Sequence, residues 1–337
     1  MATLSDVASK AGVSVSAVSR VLSNAPDARV SEQTRQRIFD AAKELDYRPN
    51  FAARALKFSR TNVIAVVVPD LTNAMFSELM SGVEEEGNRR GYMVLLARAE
   101  NLTSEPDAIP RLIGEGRVDG AIVQLGDASD TSDFDELLNG RLPVILVNSD
   151  HLDHPGSVIL EDAEGIRIAT RHLIGLGHRR IGFLGGLPDS DTGRRRREGF
   201  LDAMSTAGLE ADPDLMTELG YLPRAGGEAL HAVIDRDDPP TAVVVANVNA
   251  ALGALLEARR SGLRVPEDLS IVAMHDAWTA ESTWPPLTTV RMPLRRMGEA
   301  AMTAMYERIS TGVATDVVVT DPSPELILRE STAPPAR

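Results

Sequence analysis

The sequence of 337 residues contains no cysteine, only two tryptophans and no long apolar run. The absence of cysteine excludes disulfide bonds and thiolate metal sites, and it fits a reducing compartment. No segment approaches the length of a membrane span, and the first residues lack the apolar core of a signal peptide. We therefore expect a cytoplasmic protein without membrane contact, whose 43% hydrophobic residues suffice for the cores of two or three domains.

Positive charge is scarce overall but concentrated at one end of the chain. The net charge is −14, yet residues 1–60 contain ten Lys and Arg against six Asp and Glu, so this segment carries +4 and the remainder −18. A module that binds phosphates needs cations for counterion release, whereas an acidic body is repelled from DNA. The contrast favours nucleic-acid contact through the first 60 residues.

Residues 3–24 have the pattern of two short helices around a tight turn. Apolar residues recur at helical spacing in the first helix, where Thr3 and Ser5 are good N-cap residues. Gly12 can adopt the positive φ of a sharp helix end, and Ser14 can cap the second helix. Two short helices around a glycine-containing turn are typical of the helix-turn-helix.

The second helix would present an outer face of four side chains: Val15, Ser16, Ser19 and Arg20. Side chains at such positions meet base edges and phosphates. The alternative is a pair of amphipathic helices in an ordinary helical subdomain. The position at the start of the chain, and a third helical pattern over 31–47, favour DNA binding.

A short segment after Pro49 is predicted to be a hinge. Asn50 can cap about eight residues, which are too few for a stable isolated helix. We expect the segment to fold on DNA or against a partner chain, with Ala53 and Leu56 facing the symmetry mate and the minor groove. A leucine wedge there would kink the duplex. A plain linker is the alternative.

From residue 62 onward, apolar runs of strand length alternate with helical patterns. The predicted strands are 63–68, 92–97, 120–125, 143–148, 180–185, 242–247 and 269–274, and the predicted helices are 74–90, 163–176, 193–207, 249–261 and 294–310. Continuous apolar strands that alternate with helices predict parallel sheets covered on both faces. About 275 residues is long for one such sheet, so we expect two doubly wound parallel-sheet subdomains.

The predicted fold is therefore an all-α helix-turn-helix head followed by an α/β sensor of two subdomains. The boundaries are a head at 1–48, a hinge at 49–61 and a sensor at 62–337. Within the sensor, we expect an N-subdomain of about 62–150 with a crossover at 278–292, and a C-subdomain of about 151–277 with 293–330.

A ligand site is predicted where the strands end, because open α/β sheets bind ligands at the carboxyl ends of their strands. The polar and aromatic residues there are Asp70, Asn73, Phe76, Gln124, Asn148, Ser149, Asp191, Thr192, Asn247, Asn249, His275, Asp276 and Trp278. Such a set suits a compact polar ligand, for example a polyhydroxylated one. Tyr221 could be a pocket wall or plain core, and of the four arginines at 194–197 we expect one to point inward.

Neither catalysis nor a bound cofactor is predicted. The sequence has no P-loop, no G-x-S-x-G elbow and no H-E-x-x-H motif. His151 and His154 have H-x-x-H spacing, but a metal would need further ligands, so we expect solvated side chains and no metal.

The chain resembles the LacI/GalR family of bacterial transcription repressors, and the resemblance covers nearly its whole length. The segments that carry it include TLSDVASKAGVSVSAVSRVLS, YRPNFAARAL, HLIGLGHRRIGFLGG, RREGF and PPLTTVRMP. The resemblance implies a homodimer that binds a palindromic double-stranded operator, one half-site per head. It also implies a sensor like a type I periplasmic binding protein, with a small effector such as a sugar or sugar derivative.

The resemblance also implies residue roles. It places Val15, Ser16 and Arg20 on the bases, Leu56 in the minor groove, and Arg196 as the arginine that points into the effector site. Arg29 follows a segment that is longer than usual for the family. The full predicted DNA-binding set is Thr3, Leu4, Ser5, Ser14, Val15, Ser16, Ser19, Arg20, Arg29, Tyr47, Asn50, Ala53 and Leu56.

Two positions depart from the family pattern. Asn247 is followed by Val248 where an aspartate is common, and His275 stands where the family carries a carboxylate. We therefore expect something other than an ordinary hexose bound in the usual way; His275 would donate to an acidic or phosphorylated ligand, or to a carbonyl. A small-molecule binding protein without DNA binding and an activator of the same architecture remain alternatives. The proline-rich tail has no heptads, which favours a dimer over a tetramer.

Overall fold

The computed structural model describes residues 2–22, 30–48, 60–69, 71, 73, 75–99, 116–125, 135–138, 140–149 and 156–336. The chain divides into two compact units, Met1–Thr61 and Asn62–Arg337. In the described residues, no helix is both long enough and apolar enough to cross a lipid bilayer.

The amino-terminal unit is helical, as predicted. Its helices are α1 (Leu4–Ala11), α2 (Val15–Leu22) and α3 (Glu32–Glu44). The Thr3 hydroxyl accepts a hydrogen bond from the Asp6 backbone N–H, and the Asp6 carboxylate accepts one from the Thr3 N–H at 2.8 Å, so a capping box fixes the start of α1. Gly12, at φ +65°, ends this helix. The buried core is formed by Val7, Ala8, Ala11, Val18, Val21, Ile38, Ala41 and Ala42.

The larger unit is built from alternating strands and helices. Its strands are β1 (Val63–Val68), β2 (Met93–Arg98), β3 (Gly120–Val123), β4 (Val144–Val147), β5 (Ser157–Leu160), β6 (Ile181–Gly185), β7 (Met216–Glu218), β8 (Ala242–Val245), β9 (Ser270–Met274), β10 (Thr288–Arg291), β11 (Val317–Val319) and β12 (Glu325–Ile327). Its helices are α4 (Met75–Arg90), α5 (Asp135–Leu138), α6 (Asp162–Gly175), α7 (Asp191–Thr206), α8 (Pro223–Ile234), α9 (Val248–Arg260), α10 (Trp278–Glu281) and α11 (Leu294–Thr311).

In the described part of this unit, two six-stranded sheets form the framework, which confirms the predicted α/β class. The first has the order β11-β5-β4-β3-β1-β2, and the second has the order β12-β10-β9-β8-β6-β7. All neighbouring strands are parallel except β10 and β12, which are antiparallel. Strands such as β1 and β8 are buried almost throughout, as expected for parallel strands that are covered on both faces.

The division of the chain between the two sheets differs from the predicted subdomain boundaries. β5 belongs to the first sheet and β10 to the second, and α11 packs on α4 and on strands of the first sheet. The chain therefore crosses between the sheets three times, after β5, after β10 and after β11. The boundaries were wrong because runs of three or four residues resemble loops in sequence, and only their pairing with a neighbouring strand defines them.

The helices α8 and α9 approach so closely that glycine is required between them. A Cβ atom on Gly253 would lie 1.6 Å from the Pro223 carbonyl oxygen, and one on Gly226 would lie 1.9 Å from the Ala250 carbonyl oxygen. The helix α8 was not predicted, because its sequence PRAGGEALHAVI contains two adjacent glycines that resemble a helix breaker. Here a glycine allows backbone-to-backbone packing.

Candidate functional site

The outer face of α2 carries small polar side chains and one cation. Val18 and Val21 pack into the core of the amino-terminal unit, so the opposite face is left open. On that face Val15 is 45% exposed, and the Arg20 guanidinium donates to the Ser16 hydroxyl at 3.1 Å. Small side chains beside one arginine suit the major groove, where guanidinium groups contact guanine and methyl groups contact thymine.

The other residues predicted to contact DNA have varied positions. Thr3, Ser5 and Ser14 are exposed, Ser19 is half-buried, and Leu4 and Tyr47 pack against the core of the amino-terminal unit. The Ser14 hydroxyl accepts from the Ala17 backbone N–H, as expected for the cap of α2. Arg29, Asn50, Ala53 and Leu56 lie outside the described residues.

A buried ion cluster lies where strands of both sheets end. Asp162, in the first turn of α6, is fully buried, and its carboxylate is shared by two guanidinium groups of α7. Arg196 donates to Oδ1 through Nε at 2.9 Å and through Nη2 at 2.8 Å. Arg195 donates to Oδ2 through Nε at 3.2 Å and through Nη2 at 2.9 Å. Burial would raise the pKa of the Asp162 carboxyl, but the two guanidiniums hold it below its ordinary value.

Hydrogen bonds extend this cluster to strand ends in both sheets. Arg196 Nη1 donates to the Ala246 carbonyl, after β8, at 2.9 Å, and Arg195 Nη2 donates to the Asn148 carbonyl, after β4, at 3.1 Å. The Asn148 amide donates to Gln124 Oε1, after β3, at 3.4 Å. Since β3 and β4 belong to the first sheet and β8 to the second, α7 links the two sheets through its two arginines.

His275 completes the cluster from the end of β9. Arg196 Nη2 lies 3.4 Å from His275 Nε2, and because a guanidinium can only donate, Nε2 is the acceptor and Nδ1 carries the hydrogen. The side chain is fully buried. Burial, with a contribution from Arg196, lowers the pKa of His275 to about 3. The imidazole is therefore neutral at physiological pH.

An aromatic residue lies beside the same arginine. The Arg196 guanidinium lies 5.3 Å from the centroid of the Tyr221 ring, and the Tyr221 and Thr192 hydroxyls are 2.9 Å apart. The ring lies against Gly186, where a Cβ atom would be 2.1 Å from Tyr221 Oη. The arrangement provides an aromatic plane, a hydroxyl pair and a guanidinium within one region.

Other residues predicted for the ligand site have different environments. Phe76 is buried in the core, Trp278 is 72% exposed, and the Asn73 and Asn247 side chains accept from the backbone N–H groups of Met75 and Ala250. Asp276 forms ion pairs with Arg291 and Arg329, and Asp191 pairs with Arg194. Asp70, His151 and His154 lie outside the described residues.

The run of four arginines contributes two inward side chains, not one. Arg195 joins Arg196 on Asp162, while Arg194 and Arg197 pair with Asp191 and Glu218. Asp162 was not predicted, because an acidic residue in the first turn of a helix normally interacts with the helix dipole at the surface. Only the fold brings α7 onto it.

No metal site is evident in the part of the chain that the structure describes. There, no group of three or more His, Asp or Glu side chains is arranged to hold an ion.

The buried His275 should make the stability of the protein fall in acid. Its folded pKa is about 3 and its ordinary value is 6.5, so between these values the unfolded chain binds the proton and the folded chain does not. The stabilisation is complete above pH 6.5 and is lost as the pH falls towards 3. His275→Asn, which tolerates the left-handed backbone at φ +70°, should reduce this slope by up to about 1.4 kcal/mol per pH unit.

Urea unfolding of both proteins at a series of pH values measures the slope. His172 and His178, whose pKa values burial also lowers, remain in the variant and leave a residual slope. Identical slopes in the two proteins would show that His275 titrates normally.

Comparison with known proteins agrees with both units. Residues 3–50 match the family model of bacterial regulatory proteins, lacI family, and residues 170–332 match that of the periplasmic binding protein-like domain. The chain is 33% identical over 337 residues to the HTH-type transcriptional repressor PurR of Mannheimia succiniciproducens, with 98% of each chain covered.

Two solved structures also match over nearly the whole chain. The transcriptional regulator CelR in complex with cellobiose is 30% identical, with 98% of this chain and 100% of that chain covered and a TM-score of 0.71. The lac repressor dimer bound to operator and the anti-inducer ONPF is 27% identical, with 98% and 99% covered and a TM-score of 0.81. The chain therefore belongs to the lacI family of bacterial regulatory proteins and is a DNA-binding transcriptional regulator.

Proposed function

We propose that this regulator represses transcription by binding a palindromic operator as a homodimer, under the control of a small polar metabolite. The exposed face of α2, with Val15, Ser16 and Arg20, is the observation that carries the proposal. In this proposal residues 1–48 read DNA, 49–61 form the hinge and 62–337 bind the effector. A protein that acts on the bacterial chromosome works in the cytoplasm, and we assign it no catalytic residue.

The homodimer is supported by apolar side chains that the larger unit leaves exposed. β2 is an edge strand of the first sheet, and its Met93 is 67% and its Leu95 51% exposed. Two further leucines are exposed: Leu222, just before α8, is 57% exposed, and Leu256, in α9, is 50% exposed. In the described residues no further strand pairs with β2, and exposed apolar residues on such an edge suit burial against a second copy.

Effector binding is supported by the polar cluster around Asp162. Guanidinium, imidazole, amide and hydroxyl groups meet there at strand ends of two sheets, beside the ring of Tyr221. CelR was solved with cellobiose, and a sugar derivative suits such groups here. A ligand that favours one arrangement of the two sheets would change operator affinity by roughly 5- to 150-fold, for a coupling of about 1–3 kcal/mol.

The proposal is tested by selecting bound sites from random double-stranded DNA with the full-length protein. We expect one enriched sequence with two inverted half-sites, because each head of a dimer reads one half-site. Enrichment of no sequence, or of a single unpaired half-site, would contradict the proposal. Repeating the selection with metabolite mixtures identifies those that change recovery.

Replacing Arg20 with alanine should weaken binding to the selected operator by roughly 5- to 150-fold, because one base contact contributes about 1–3 kcal/mol. Binding to unrelated DNA should change much less. The matched control is Arg224→Ala, which removes an 89% exposed arginine from α8 and should leave both affinities unchanged. Fluorescence anisotropy at fixed salt measures the affinities of the wild type and both variants for both DNAs, and an equal loss on both DNAs would assign Arg20 to phosphate contact alone.

A further inference from the structure

Three buried polar atoms in the cluster around Asp162 have no hydrogen-bond partner among the described residues. They are Arg195 Nη1, His275 Nδ1 and Asn148 Oδ1. All three residues belong to the same network, since Arg195 contacts both Asp162 and the Asn148 carbonyl, and His275 contacts Arg196. Buried polar groups in folded proteins are nearly always paired, so unpaired atoms gathered in one network indicate a missing partner.

The hydrogen-bonding character of the three atoms defines the partner they need. Arg195 Nη1 is a donor, and His275 Nδ1 is also a donor because Nε2 accepts from Arg196. Asn148 Oδ1 is an acceptor. The complementary ligand therefore offers oxygen acceptors to two donors and one O–H or N–H group to an acceptor.

The charge of the cluster favours acceptors that are negative. Asp162 offers one carboxylate, and both Arg195 and Arg196 bond to it. Of the two carboxylate oxygens, Arg195 bonds only to Oδ2, and its Nη1 still has an unpaired N–H. The imidazole of His275 is neutral, so the two positive guanidiniums are balanced by a single negative carboxylate. The N-terminus of α7, five residues before Arg196, adds a partial positive charge.

We propose that the effector of this protein is an oxyanion that also carries a hydroxyl group, such as a hydroxy acid or a phosphorylated polyol. Its carboxylate or phosphate accepts from Arg195 Nη1 and His275 Nδ1, and its hydroxyl donates to Asn148 Oδ1. The inference rests on the proposed effector site and names the chemical class of its ligand. An anionic acceptor on a guanidinium places opposite charges on both partners, whereas with a neutral hydroxyl only the donor is charged.

The test compares matched anionic and neutral probes on the full-length protein. Thermal unfolding is followed against acetate, its neutral isostere acetamide, and inorganic phosphate, with sodium chloride at equal ionic strength as the reference. Acetate and phosphate separate the two sources of an oxyanion. We expect at least one of them to raise the unfolding temperature saturably, while acetamide and chloride do not.

The decisive variant is His275→Asp, with His275→Asn as its control. Aspartate tolerates the left-handed backbone and places a second carboxylate beside Arg196. We expect it to weaken the anion affinity by about tenfold or more and to raise the unfolding temperature of the protein without ligand. Asparagine adds no charge, so it should weaken the anion affinity less than aspartate does.

Two results would overturn the inference. One is the absence of a saturable effect of either anion on the wild-type protein, and the other is an equal response of wild type and His275→Asp. Because neither measurement uses DNA, both results would leave the proposed operator binding standing. Conversely, anion binding that persists in a protein without operator preference would refute the proposed function and not this inference.

Discussion

Replacing Asp162 with asparagine should lower the free energy of unfolding by roughly 3–5 kcal/mol, the cost typical of removing one partner from a buried ion pair. The carboxylate is fully buried and bonds to Arg195 and Arg196. The two side chains have the same shape, so the change creates no cavity. An amide, however, leaves two guanidiniums without a counterion and can direct an N–H group at their donors. Urea denaturation monitored by circular dichroism measures the change.

The control for this prediction is Glu228→Gln, which removes the same charge from an exposed pair with Arg224. Exposed pairs of this kind contribute little, so this variant should unfold like the wild type. A loss of under about 1 kcal/mol for Asp162→Asn would mean that water enters the cluster and screens it. The buried network would then have a smaller role in joining the two sheets.

Replacing Gly253 with alanine should be the second severe change, with a loss of about 3 kcal/mol, at the upper end of the usual cost of overpacking. The added methyl carbon would lie 1.6 Å from the Pro223 carbonyl oxygen. That oxygen belongs to the backbone at the start of α8, so no side-chain rotation can relieve the clash. The helices α8 and α9 would have to separate, which would expose their buried alanines and leucines.

Gly175→Ala is the matched control, because it makes the same substitution at the last residue of α6. A Cβ there has no atom within 4 Å. Alanine is the better helix former, so this variant should match or slightly exceed the wild type in stability. Equal unfolding midpoints for Gly253→Ala and Gly175→Ala would contradict the close packing of α8 on α9.

Local patterns in the sequence were sufficient for most of the fold. The cap of α1 at Thr3 and the left-handed Gly12 form hydrogen bonds with residues three or four positions away, so both could be predicted without tertiary structure. The strand β1 was predicted at 63–68 and lies there, because a short apolar run rich in β-branched residues suits a strand that is buried on both faces. The two-sheet architecture followed from the length of the alternating region, because about 275 residues is long for a single sheet.

Elements that depend on distant partners were missed. The strand β5 has four residues and is defined by its pairing with β4 and β11, so its sheet could not be assigned from its own residues. The helix α8 was missed because its adjacent glycines resemble a helix breaker, whereas in the structure they allow close contact with α9. In both cases the deciding interaction joins residues that are far apart in the chain.

The candidate effector site shows the same limit. Residues at strand ends, such as Asn148 and His275, could be predicted because the topology of parallel sheets places them at one edge. Asp162 and Arg195 could not, since each has the sequence context of a solvated helical charge. Their importance is evident only from the carboxylate that Arg195 and Arg196 share.

The same cluster suggests how ligand and DNA could be coupled. Arg195 donates to the Asn148 carbonyl at the end of β4, in the first sheet, and also to Asp162 in the first turn of α6, which packs on the second sheet. A ligand that accepts a hydrogen bond from Arg195 Nη1 would weaken or strengthen the connection that Arg195 makes between the two sheets. The relative position of the two sheets is therefore the property that we expect the ligand to change.

The central claim is tested most directly by measuring the affinity of the full-length protein for its selected operator and for a scrambled duplex of equal length, at one fixed salt concentration. The account predicts at least about 10³-fold tighter binding to the operator, and a further change of roughly 5- to 150-fold when the cognate effector is added. Equal affinity for the two duplexes, with and without a cellular metabolite extract, would contradict it.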